Sequence, residues 1–563
     1  MTTVQSRSTL VARLLAWRYS ISRNGLMLAV ACWLMLNMNG AFWHTVWNGV
    51  GGWGNDSKLF LLSLPLLVTL WLFGLLSLLT WGRASKLILA LFLLISAAAS
   101  YFINTYGILI DSSMLTNVMQ TDSAEALDLI SARMIGWMLL FGLLPVLLLS
   151  RAHLLVQPWR RELAYKLAGI VLTLACIGGI LLSQYQSYSS LLRNHREIRL
   201  QLVPSNVVGA VHGYLRRQLA SPRTLEVVGA DARQLVKTGL HSKPKLTVVV
   251  VGETARAMNF SLNGYARQTN PELAQRDVIS FSNVSSCGTA TATSVPCMFM
   301  DMGHDDYRDS LAGHREGLLD VLQRAGVSVL WRDNNSGCKG SCDRTPSEDV
   351  SHFALPDICA DNECHDEVLL SGLQKYLDTQ YHDAVVVLHM KGSHGPAYYK
   401  RYPKAFERFT PVCESSQLDK CSVASIVNAY DNTLLYTDHV LAQVIDLLKN
   451  NQSRFDSAML YASDHGESLG EKGIYLHGLP YAMAPEEQTH IPMVLWMSPQ
   501  LASRAGITPG CLEGQRDVPL SHDNIFHSVV GLMGVQTSVY KPERDLFRAC
   551  TPPAEQMALS EEQ

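Results

Sequence analysis

The segment Lys-Leu-Thr-Val-Val-Val-Val-Gly-Glu-Thr, residues 245–254, decides the fold of the C-terminal half of this chain. A run of β-branched residues this long is typical of a strand that is buried on both faces. The segments Asp383–Met390 and Ser457–Ala462 show the same pattern, with helical stretches between them. The alternation predicts an α/β domain with a mainly parallel sheet and helices on both of its faces.

Each of these three strands is followed by a carboxylate or an imidazole. Glu253 follows the first strand, His394 lies beyond the second, and Asp464 and His465 follow the third. Ligands of open α/β sheets bind beyond the carboxyl ends of strands, and these residue types suit zinc. Taken singly, each has an ordinary explanation, such as a helix cap or a loop hydrogen bond. Together they predict a metal site, with His394 and His477 as candidates for a second metal or for the substrate phosphate.

A hydroxyl-rich segment supplies candidate nucleophiles for such a site. Between Cys287 and Cys297 the chain reads Cys-Gly-Thr-Ala-Thr-Ala-Thr-Ser-Val-Pro-Cys. Thr289, Thr291 and Thr293 are all candidates for the nucleophile of a phosphoryl or sulfuryl transfer, and metal coordination would lower the pKa of the hydroxyl. The residue pattern alone does not separate the three, and a Thr-rich turn held by a disulfide is the alternative interpretation.

The N-terminal third of the chain predicts a membrane domain. The net charge of the 563 residues is −3, which gives no indication of nucleic-acid binding. Five apolar segments with Trp and Tyr at their ends approach the roughly 20 residues that cross a bilayer, the fourth and fifth only with their flanking residues. These segments are Leu26–Val46, Leu59–Trp81, Leu87–Ile103, Ile135–Leu149 and Leu167–Leu182.

The distribution of basic residues predicts the orientation. Arginines and lysines are concentrated before the first segment, between the second and third, and between the fourth and fifth, which places the N-terminus in the cytoplasm. Five spans then place the chain after about Gln184 outside, with the first span as the targeting signal. The domains expected are a membrane domain over 1–186, a bridging region over 187–240 and a catalytic domain over 241–563.

Two connecting regions permit more than one interpretation. The bridging region mixes apolar residues with arginines, so it predicts either short amphipathic helices on the membrane surface or a plain linker. The long polar loop Asn104–Arg133 either covers a site at the bilayer surface or is solvated.

Cysteine usage indicates an oxidising compartment. Ten of the 12 cysteines lie in the proposed exterior domain, mostly in close pairs, and no CxxC pair points to a zinc cluster. Sequential pairing predicts the disulfides Cys287–Cys297, Cys338–Cys342, Cys359–Cys364, Cys413–Cys421 and Cys511–Cys550.

Five short motifs resemble those of the phosphoethanolamine transferases of Gram-negative inner membranes, within the alkaline phosphatase-like superfamily. The resemblance extends over nearly the whole chain and is strongest to the lipid A branch, which includes the colistin-resistance enzymes. It implies five membrane helices joined to a periplasmic sulfatase-like α/β domain. The motifs are Val-Gly-Glu-Thr-Ala-Arg (251–256), Asn-Gly-Tyr (263–265), Cys-Gly-Thr-Ala-Thr (287–291), Gly-Ser-His-Gly-Pro (392–396) and Ser-Asp-His-Gly-Glu (463–467).

The resemblance also implies roles for individual residues. It makes Thr291 the nucleophile and implies one zinc ion, with a second as an option. The ligands of the first zinc would be Glu253, Thr291, Asp464 and His465. The residues implied for the substrate or proton transfer are His394, His477, Asn335, Ser336 and Lys339, and a lipid-facing wall would include Asn104, Tyr106, Asn117 and Glu125.

The implied reaction is a ping-pong transfer of phosphoethanolamine. Phosphatidylethanolamine is the implied donor and a phosphate of lipid A the implied acceptor, in an enzyme that is a monomer in the inner membrane. The product would be a less anionic lipid A, which binds polymyxin and other cationic peptides less well.

Other functions remain as alternatives. A transferase acting on Kdo or heptose of the lipopolysaccharide core is the main one. A sulfatase is disfavoured because Cys287 is not followed by x-Pro-x-Arg, and the disulfide-rich domain argues against a glycerol-phosphate transferase of cell-wall polymers. An inactive membrane scaffold or sensor would lack a metal ligand, and none of the implied ligands is missing.

Overall fold

The computed structural model describes residues 18–50, 58–121, 123–155, 157–220, 224–234, 243–360, 363–508 and 510–551. The chain divides into two compact units. The first comprises Met1–Ser112 and Ile130–Gly213, and the second comprises Ser113–Leu129 and Tyr214–Gln563. The domain boundaries expected at residues 186 and 240 remain predictions.

The first unit is built from apolar helices, as expected. Within the described residues, four helices are long and apolar enough to cross a membrane, and there are five spans if a pair bent by 63° counts as one. The last two are longer than their predicted segments because the helices continue into the flanking residues. The four helices are Lys58–Leu79, Ser85–Tyr106, Ala132–Arg151 and Trp159–Ser183, and the bent pair is Arg23–Asn37 with Gly40–Val50.

A buried asparagine fixes the bend in the first span. The amide of Asn39 donates hydrogen bonds to the carbonyls of Leu34 at 2.9 Å and Val203 at 3.2 Å, and its oxygen accepts the Val203 N–H at 2.9 Å. Leu34 lies in the helix before the bend, while Val203 lies far along the chain in the bridging region, so Asn39 ties the bend to a second part of the unit. The bend is therefore a specified feature of the unit.

The bridging region contains helices. Three lie between the last span and residue 221, at Tyr185–Asn194, Ile198–Gln201 and Ser205–Ala220. The loop between the third and fourth predicted spans also contains two helices, Ser112–Gln120 and Ser123–Asp128.

Within the described part of the second unit, eight strands form one sheet. The strands are β1 Lys245–Gly252, β2 Ile279–Ser285, β3 Ser328–Asp333, β4 Ser347–Asp349, β5 Ala384–His389, β6 Asp456–Ser463, β7 His490–Met497 and β8 Leu520–Ser521. Their order in the sheet is β8-β2-β7-β6-β1-β5-β3-β4. Among these eight strands only β7 runs antiparallel to its neighbours, so the predicted, mainly parallel sheet is confirmed.

Alternating residues of the central strands face two separate cores. In β1, Val249 and Val251 belong to one apolar cluster, while Val248 and Val250 belong to the other. Since side chains alternate across a strand, both faces of the sheet must be covered. Helices Thr291–Met298, Leu318–Arg324 and Asp523–Met533 contribute to the first cluster, and Leu373–Asp378 and Val423–Asn450 to the second.

Shorter elements complete the second unit. Two further helices are Glu486–Thr489 and Pro499–Arg504. Small antiparallel pairs join Cys359–Ala360 to Glu363–Cys364, Ser468–Leu469 to Tyr475–Leu476, and Arg233–Gln234 to Val535–Gln536.

All five predicted disulfides are present. Four join cysteines within ten residues of each other, while Cys511 and Cys550 are 39 residues apart. The two remaining cysteines, Cys32 and Cys176, are free and lie in the apolar helices.

The disulfides should differ in their contribution to stability. Chain-entropy arguments give about 4 kcal/mol for the Cys511–Cys550 loop and about 2 kcal/mol for the Cys338–Cys342 loop. We therefore expect Cys511→Ser/Cys550→Ser to lower the free energy of unfolding more than Cys338→Ser/Cys342→Ser. Denaturant unfolding of the full chain in detergent measures both, and equal losses would contradict the loop-length explanation.

Candidate active site and metal centre

The register of the central strands brings the predicted ligands together. β1 and β6 are parallel neighbours in which Gly252 pairs with Ser463. The next residues along the two strands, Glu253 and Asp464, therefore leave the sheet side by side. His465 follows at once, so the carboxyl edge of the sheet gathers three polar side chains at one point.

Glu253, Asp464 and His465 form a buried group with the geometry of a cation site. Their ligand atoms all lie within 4.8 Å of one another. The Nε2 atom of His465 lies 3.4 Å from Glu253 Oε1 and 3.3 Å from Asp464 Oδ2. Each residue is at most 1 % exposed, so the group is shielded from water.

The two buried carboxylates of this group lack a positive charge to balance them. Burial, together with the charge of Asp464, raises the pKa of Glu253, and burial raises the pKa of Asp464 to about 6. Burial and the neighbouring His477 lower the pKa of His465 to about 4, so the imidazole is not the missing cation. The Asp464 Oδ2 atom is buried with no hydrogen-bond partner. A divalent metal fits because it would neutralise both carboxylates and occupy that oxygen.

Thr291 is the one threonine of its segment that reaches this group. Its Oγ1 lies 3.1 Å from Glu253 Oε2, 3.3 Å from Glu253 Oε1 and 3.5 Å from His465 Nε2. The Thr289 hydroxyl instead donates to the Leu479 carbonyl at 2.6 Å, and the Thr293 hydroxyl donates to Asp309 at 3.1 Å. The structure thus separates three hydroxyls that the residue pattern leaves equivalent.

Local structure holds Thr291 in place. It is the first residue of the helix Thr291–Met298, and the Cys287–Cys297 disulfide joins the loop before this helix to the helix itself. Gly288 allows the turn to close, because a Cβ there would lie 2.8 Å from Thr293 Cγ2. On the facing loop, Gly392 has φ +52° and lies so close to Glu253 that a Cβ would approach its carbonyl oxygen to 2.7 Å.

A second group of polar residues adjoins the first. The ring centroid of His477 lies 4.3 Å from that of His465 and 5.6 Å from that of His394, so the three imidazoles are brought together. The Nδ1 atom of His477 lies 2.8 Å from Glu467 Oε2, and the Tyr398 hydroxyl donates to Glu467 Oε1 at 2.6 Å. His465, Glu467 and His477 form a second group of atoms close enough to hold a metal.

Glu467 was not among the predicted site residues. It is fully buried, and burial raises its pKa to about 7. The signal for it was present in the sequence, because it ends the Ser-Asp-His-Gly-Glu motif two residues after His465.

Of the three predicted phosphate-side residues, Asn335 contacts the metal group, and Ser336 and Lys339 follow it along the chain. Asn335 donates from Nδ2 to Glu253 Oε2 at 2.8 Å and to the Met390 carbonyl at 2.8 Å, so it orients a candidate ligand. Lys339 Nζ donates to the hydroxyl and the carbonyl of Ser336, both at 2.8 Å, and to the Gln120 carbonyl at 3.2 Å. The Cys338–Cys342 disulfide encloses Lys339 in a small loop, as expected.

The segment 113–129, which belongs to the second unit, is held to the rest of that unit by ion pairs. Asp128 pairs with Lys400 and, at 2.9 Å, with Arg401, which in turn pairs with Glu363 at 2.9 Å. Glu363 also pairs with Lys391 at 2.8 Å. The segment is thereby fixed to the loop that follows β5.

The predicted lipid-facing residues fall in different places. Asn117 lies in the helix Ser112–Gln120, while the side chain of Glu125 lies outside the described residues. Asn104 and Tyr106 belong to the first unit, where Asn104 accepts the Ala41 N–H at 2.6 Å and Tyr106 is buried against aromatic rings. Their roles remain predictions.

A buried ion pair lies behind the Asn335 loop. Asp333 Oδ2 lies 2.9 Å from His389 Nδ1 and accepts the Trp331 indole N–H at 2.7 Å. The Oδ1 atom of Asp333 accepts the backbone N–H groups of Asn335 and Gly337. Burial alone would raise the pKa of Asp333, but the His389 charge lowers it overall. Burial alone would lower the pKa of His389, but Asp333 raises it overall. The pair therefore holds the loop that orients Glu253.

Family models match both units. One described as Sulfatase matches residues 245–535, and one described as Phosphoethanolamine transferase EptA/EptB matches residues 68–219. The fold and the buried metal-type group thus define a sulfatase-like enzyme domain attached to a membrane domain.

Curated relatives and a solved structure cover nearly the whole chain. The phosphoethanolamine transferase EptA of Escherichia coli (strain K12) is 41 % identical over 95 % of this chain and 97 % of its own. The phosphatidylethanolamine transferase Mcr-1 of Escherichia coli is 41 % identical over 86 % of this chain and 91 % of its own. The integral membrane lipooligosaccharide phosphoethanolamine transferase A (EptA) from Neisseria meningitidis matches with a TM-score of 0.92 and 38 % identity, covering 95 % of this chain and 100 % of that one. The chain belongs to the phosphoethanolamine transferase family and is a transferase of the EptA/Mcr type.

The Asp333–His389 pair should stabilise the second unit in a pH-dependent way. Asp333→Asn removes one partner of a buried pair, which costs roughly 3–5 kcal/mol. The lowered pKa of Asp333 and the raised pKa of His389 make the ionic stabilisation fully present between their ordinary values of 3.8 and 6.5. It is lost as the pH rises through the raised pKa of His389.

Thermal unfolding of the full chain as a function of pH tests this expectation. The difference in Tm between wild type and Asp333→Asn should be largest near pH 6 and should shrink as the pH rises through the raised pKa of His389. Glu414→Gln is the matched control, because Glu414 is 66 % exposed and pairs with Lys404, which is 75 % exposed, and a surface contact of this kind contributes little to stability. A difference that grows with pH would contradict the ion pair.

Proposed function

We propose that this transferase moves phosphoethanolamine from phosphatidylethanolamine to a phosphate of lipid A through a covalent intermediate on Thr291. The observation that carries the proposal is the approach of Thr291 Oγ1 to within 3.1 Å of Glu253 in a group that fits a cation. Mcr-1 is named a phosphatidylethanolamine transferase, which supports the donor, and the Neisseria protein is named a lipooligosaccharide phosphoethanolamine transferase, which supports an acceptor within lipooligosaccharide.

In the first half-reaction Thr291 acts as the nucleophile. Its hydroxyl proton passes to the Glu253 carboxylate, which already accepts a hydrogen bond from it, while Oγ1 forms a bond to the phosphorus of the donor. The bond from phosphorus to the glycerol oxygen breaks, and that oxygen takes a proton to leave as diacylglycerol. His477 is placed to supply this proton, because Glu467 holds its Nδ1 and thereby sets its orientation.

In the second half-reaction the roles are reversed. A phosphate oxygen of lipid A forms a bond to the phosphorus, the bond to Thr291 Oγ1 breaks, and Oγ1 recovers a proton. His477, which gives up a proton in the first half-reaction, is the base that takes one from the incoming phosphate, and the His394 ring lies beside it at a centroid distance of 5.6 Å. Lys339, held by Ser336, adds positive charge that would offset charge on the phosphoryl oxygens.

Zinc is the metal we propose for the group of Glu253, Thr291, Asp464 and His465. Bound zinc would lower the pKa of the Thr291 hydroxyl and stabilise charge on the transferring group. The mixture of one imidazole with carboxylate and hydroxyl oxygens suits zinc. A second ion at His465, Glu467 and His477 is a further option.

The proposed cellular setting follows from the same features. The disulfides and the basic loops support a periplasmic catalytic domain and a cytoplasmic N-terminus in the inner membrane. A monomer is part of the same proposal. A domain division at about residues 186 and 240 belongs to this proposal. Modified lipid A would carry less negative charge, and the cell would resist polymyxin.

Trapping the intermediate tests the nucleophile. Purified full-length protein incubated with phosphatidylethanolamine should gain a phosphoethanolamine mass on the peptide that contains Thr291. Thr291→Ala should lose this mass and should reduce transfer by on the order of a thousandfold or more. Thr293→Ala is the matched control and should keep the adduct, since its hydroxyl bonds Asp309. An adduct that persists in Thr291→Ala would move the nucleophile elsewhere.

Metal loading tests the cation site by stability as well as by activity. In metal-free protein, Asp464→Asn should unfold at the same temperature as wild type or higher, because it removes one of two buried like charges. Added zinc should stabilise wild type by about 3 kcal/mol at a hundredfold excess over its Kd, and the variant far less. Equal stabilisation of both proteins by zinc would contradict the assignment.

A further inference from the structure

A polar cavity lies beside the helix that carries the nucleophile. It has a volume of ≈ 330 Å³ and lies entirely within the second unit. Ala292, the residue after Thr291, forms part of its wall, and so does Lys339. Neither the three residues of the metal group nor His394 and His477 line it. The residues that give the cavity its chemistry are Gln120, Tyr214, Arg217, Asp309, His314 and Asp343.

The wall of this cavity is coupled to the helix of the nucleophile. Arg217 pairs with Asp309, and the other oxygen of Asp309 accepts the Thr293 hydroxyl at 3.1 Å. A second connection runs through Lys339, whose Nζ donates to Ser336 and to the Gln120 carbonyl. A ligand in the cavity would therefore contact the structures that position Thr291.

The residues that line the cavity favour a ligand with hydroxyl and phosphate groups. Asp309, Asp343 and Gln120 offer oxygen atoms that accept hydrogen bonds from hydroxyl groups, and Tyr214 offers a ring and a hydroxyl. Arg217, although paired with Asp309, and His314 offer N–H groups that suit phosphate oxygens. This mixture of both charge signs is unfavourable for acyl chains, and the volume lies within the roughly 300–1,000 Å³ range of small-ligand sites, too large for ethanolamine to fill.

We propose that this cavity binds the phosphorylated amino-sugar head of the acceptor. Its hydroxyl groups would bond the carboxylates and Gln120, while a phosphate of the same head would extend past Ala292 to the phosphorus on Thr291. The inference rests on the proposed function, since it assigns the acceptor to a subsite separate from the imidazoles. The donor would not need the cavity, so the two half-reactions should respond differently to changes in it.

The test measures the half-reactions separately with the full chain in detergent. Release of diacylglycerol from fluorescent phosphatidylethanolamine, with the adduct on Thr291, reports the first. Transfer from the preformed adduct to purified lipid A reports the second. Tyr214→Ala and His314→Ala remove contacts, and Ser310→Met fills the cavity from its wall. Arg216→Ala is the control, because Arg216 is exposed on the same helix and does not line the cavity.

The cavity variants should raise the KM for lipid A by at least about tenfold while diacylglycerol release stays within about twofold of wild type. Thermal unfolding should be unchanged in Ser310→Met, which keeps the test valid if Tyr214→Ala folds poorly. If a folded Ser310→Met protein loses both half-reactions, the cavity binds the donor. If no variant changes the KM for lipid A, the cavity is not a substrate site. Either result overturns the inference. Absence of an adduct in wild type would instead overturn the proposed function.

Discussion

The second unit depends on one constraint, which is that two carboxylates are buried together without a positive charge to balance them. Glu253 and Asp464 lie side by side, fully shielded from water, and the neighbouring His465 has a lowered pKa and so adds no positive charge. Such an arrangement is unfavourable by itself, because like charges in a medium of low dielectric repel each other and lose their hydration. A cation resolves it, and the hydroxyl of Thr291 lies within reach of the same group.

The rest of the unit holds this unfavourable group in place. The aligned ends of β1 and β6 fix the two carboxylates, and two apolar cores clamp both faces of the sheet. Asn335 orients Glu253 and is itself held by the Asp333–His389 pair. On the other side, a disulfide secures the helix of Thr291. Because the site is assembled before the substrate binds, the binding energy of the substrate can stabilise the transition state of the transfer and is not consumed in ordering the site.

Much of this arrangement could be predicted from the sequence, because strand ends and short motifs are local signals. Glu253, Asp464 and His465 followed from the ends of two buried strands, and Thr291 followed from the family resemblance. Three other contacts join residues that are 56 to 273 positions apart in the chain. They are the hydrogen bond from Asn335 to Glu253 and the ion pairs Asp333–His389 and Asp128–Arg401. No local pattern specifies such contacts, since they depend on how the loops pack in three dimensions. The antiparallel direction of β7 was likewise not predictable from its composition.

The central claim is that Thr291 passes phosphoethanolamine to lipid A, and the mass of lipid A tests it most directly. Lipid A should be extracted from cells that express the full chain and from cells that express Thr291→Ala at the same level. Lipid A from cells with the wild-type chain should carry an added phosphoethanolamine mass, and lipid A from cells with the variant should carry none. The added mass on Kdo or heptose of the core, or an unmodified lipid A in both strains, would contradict it.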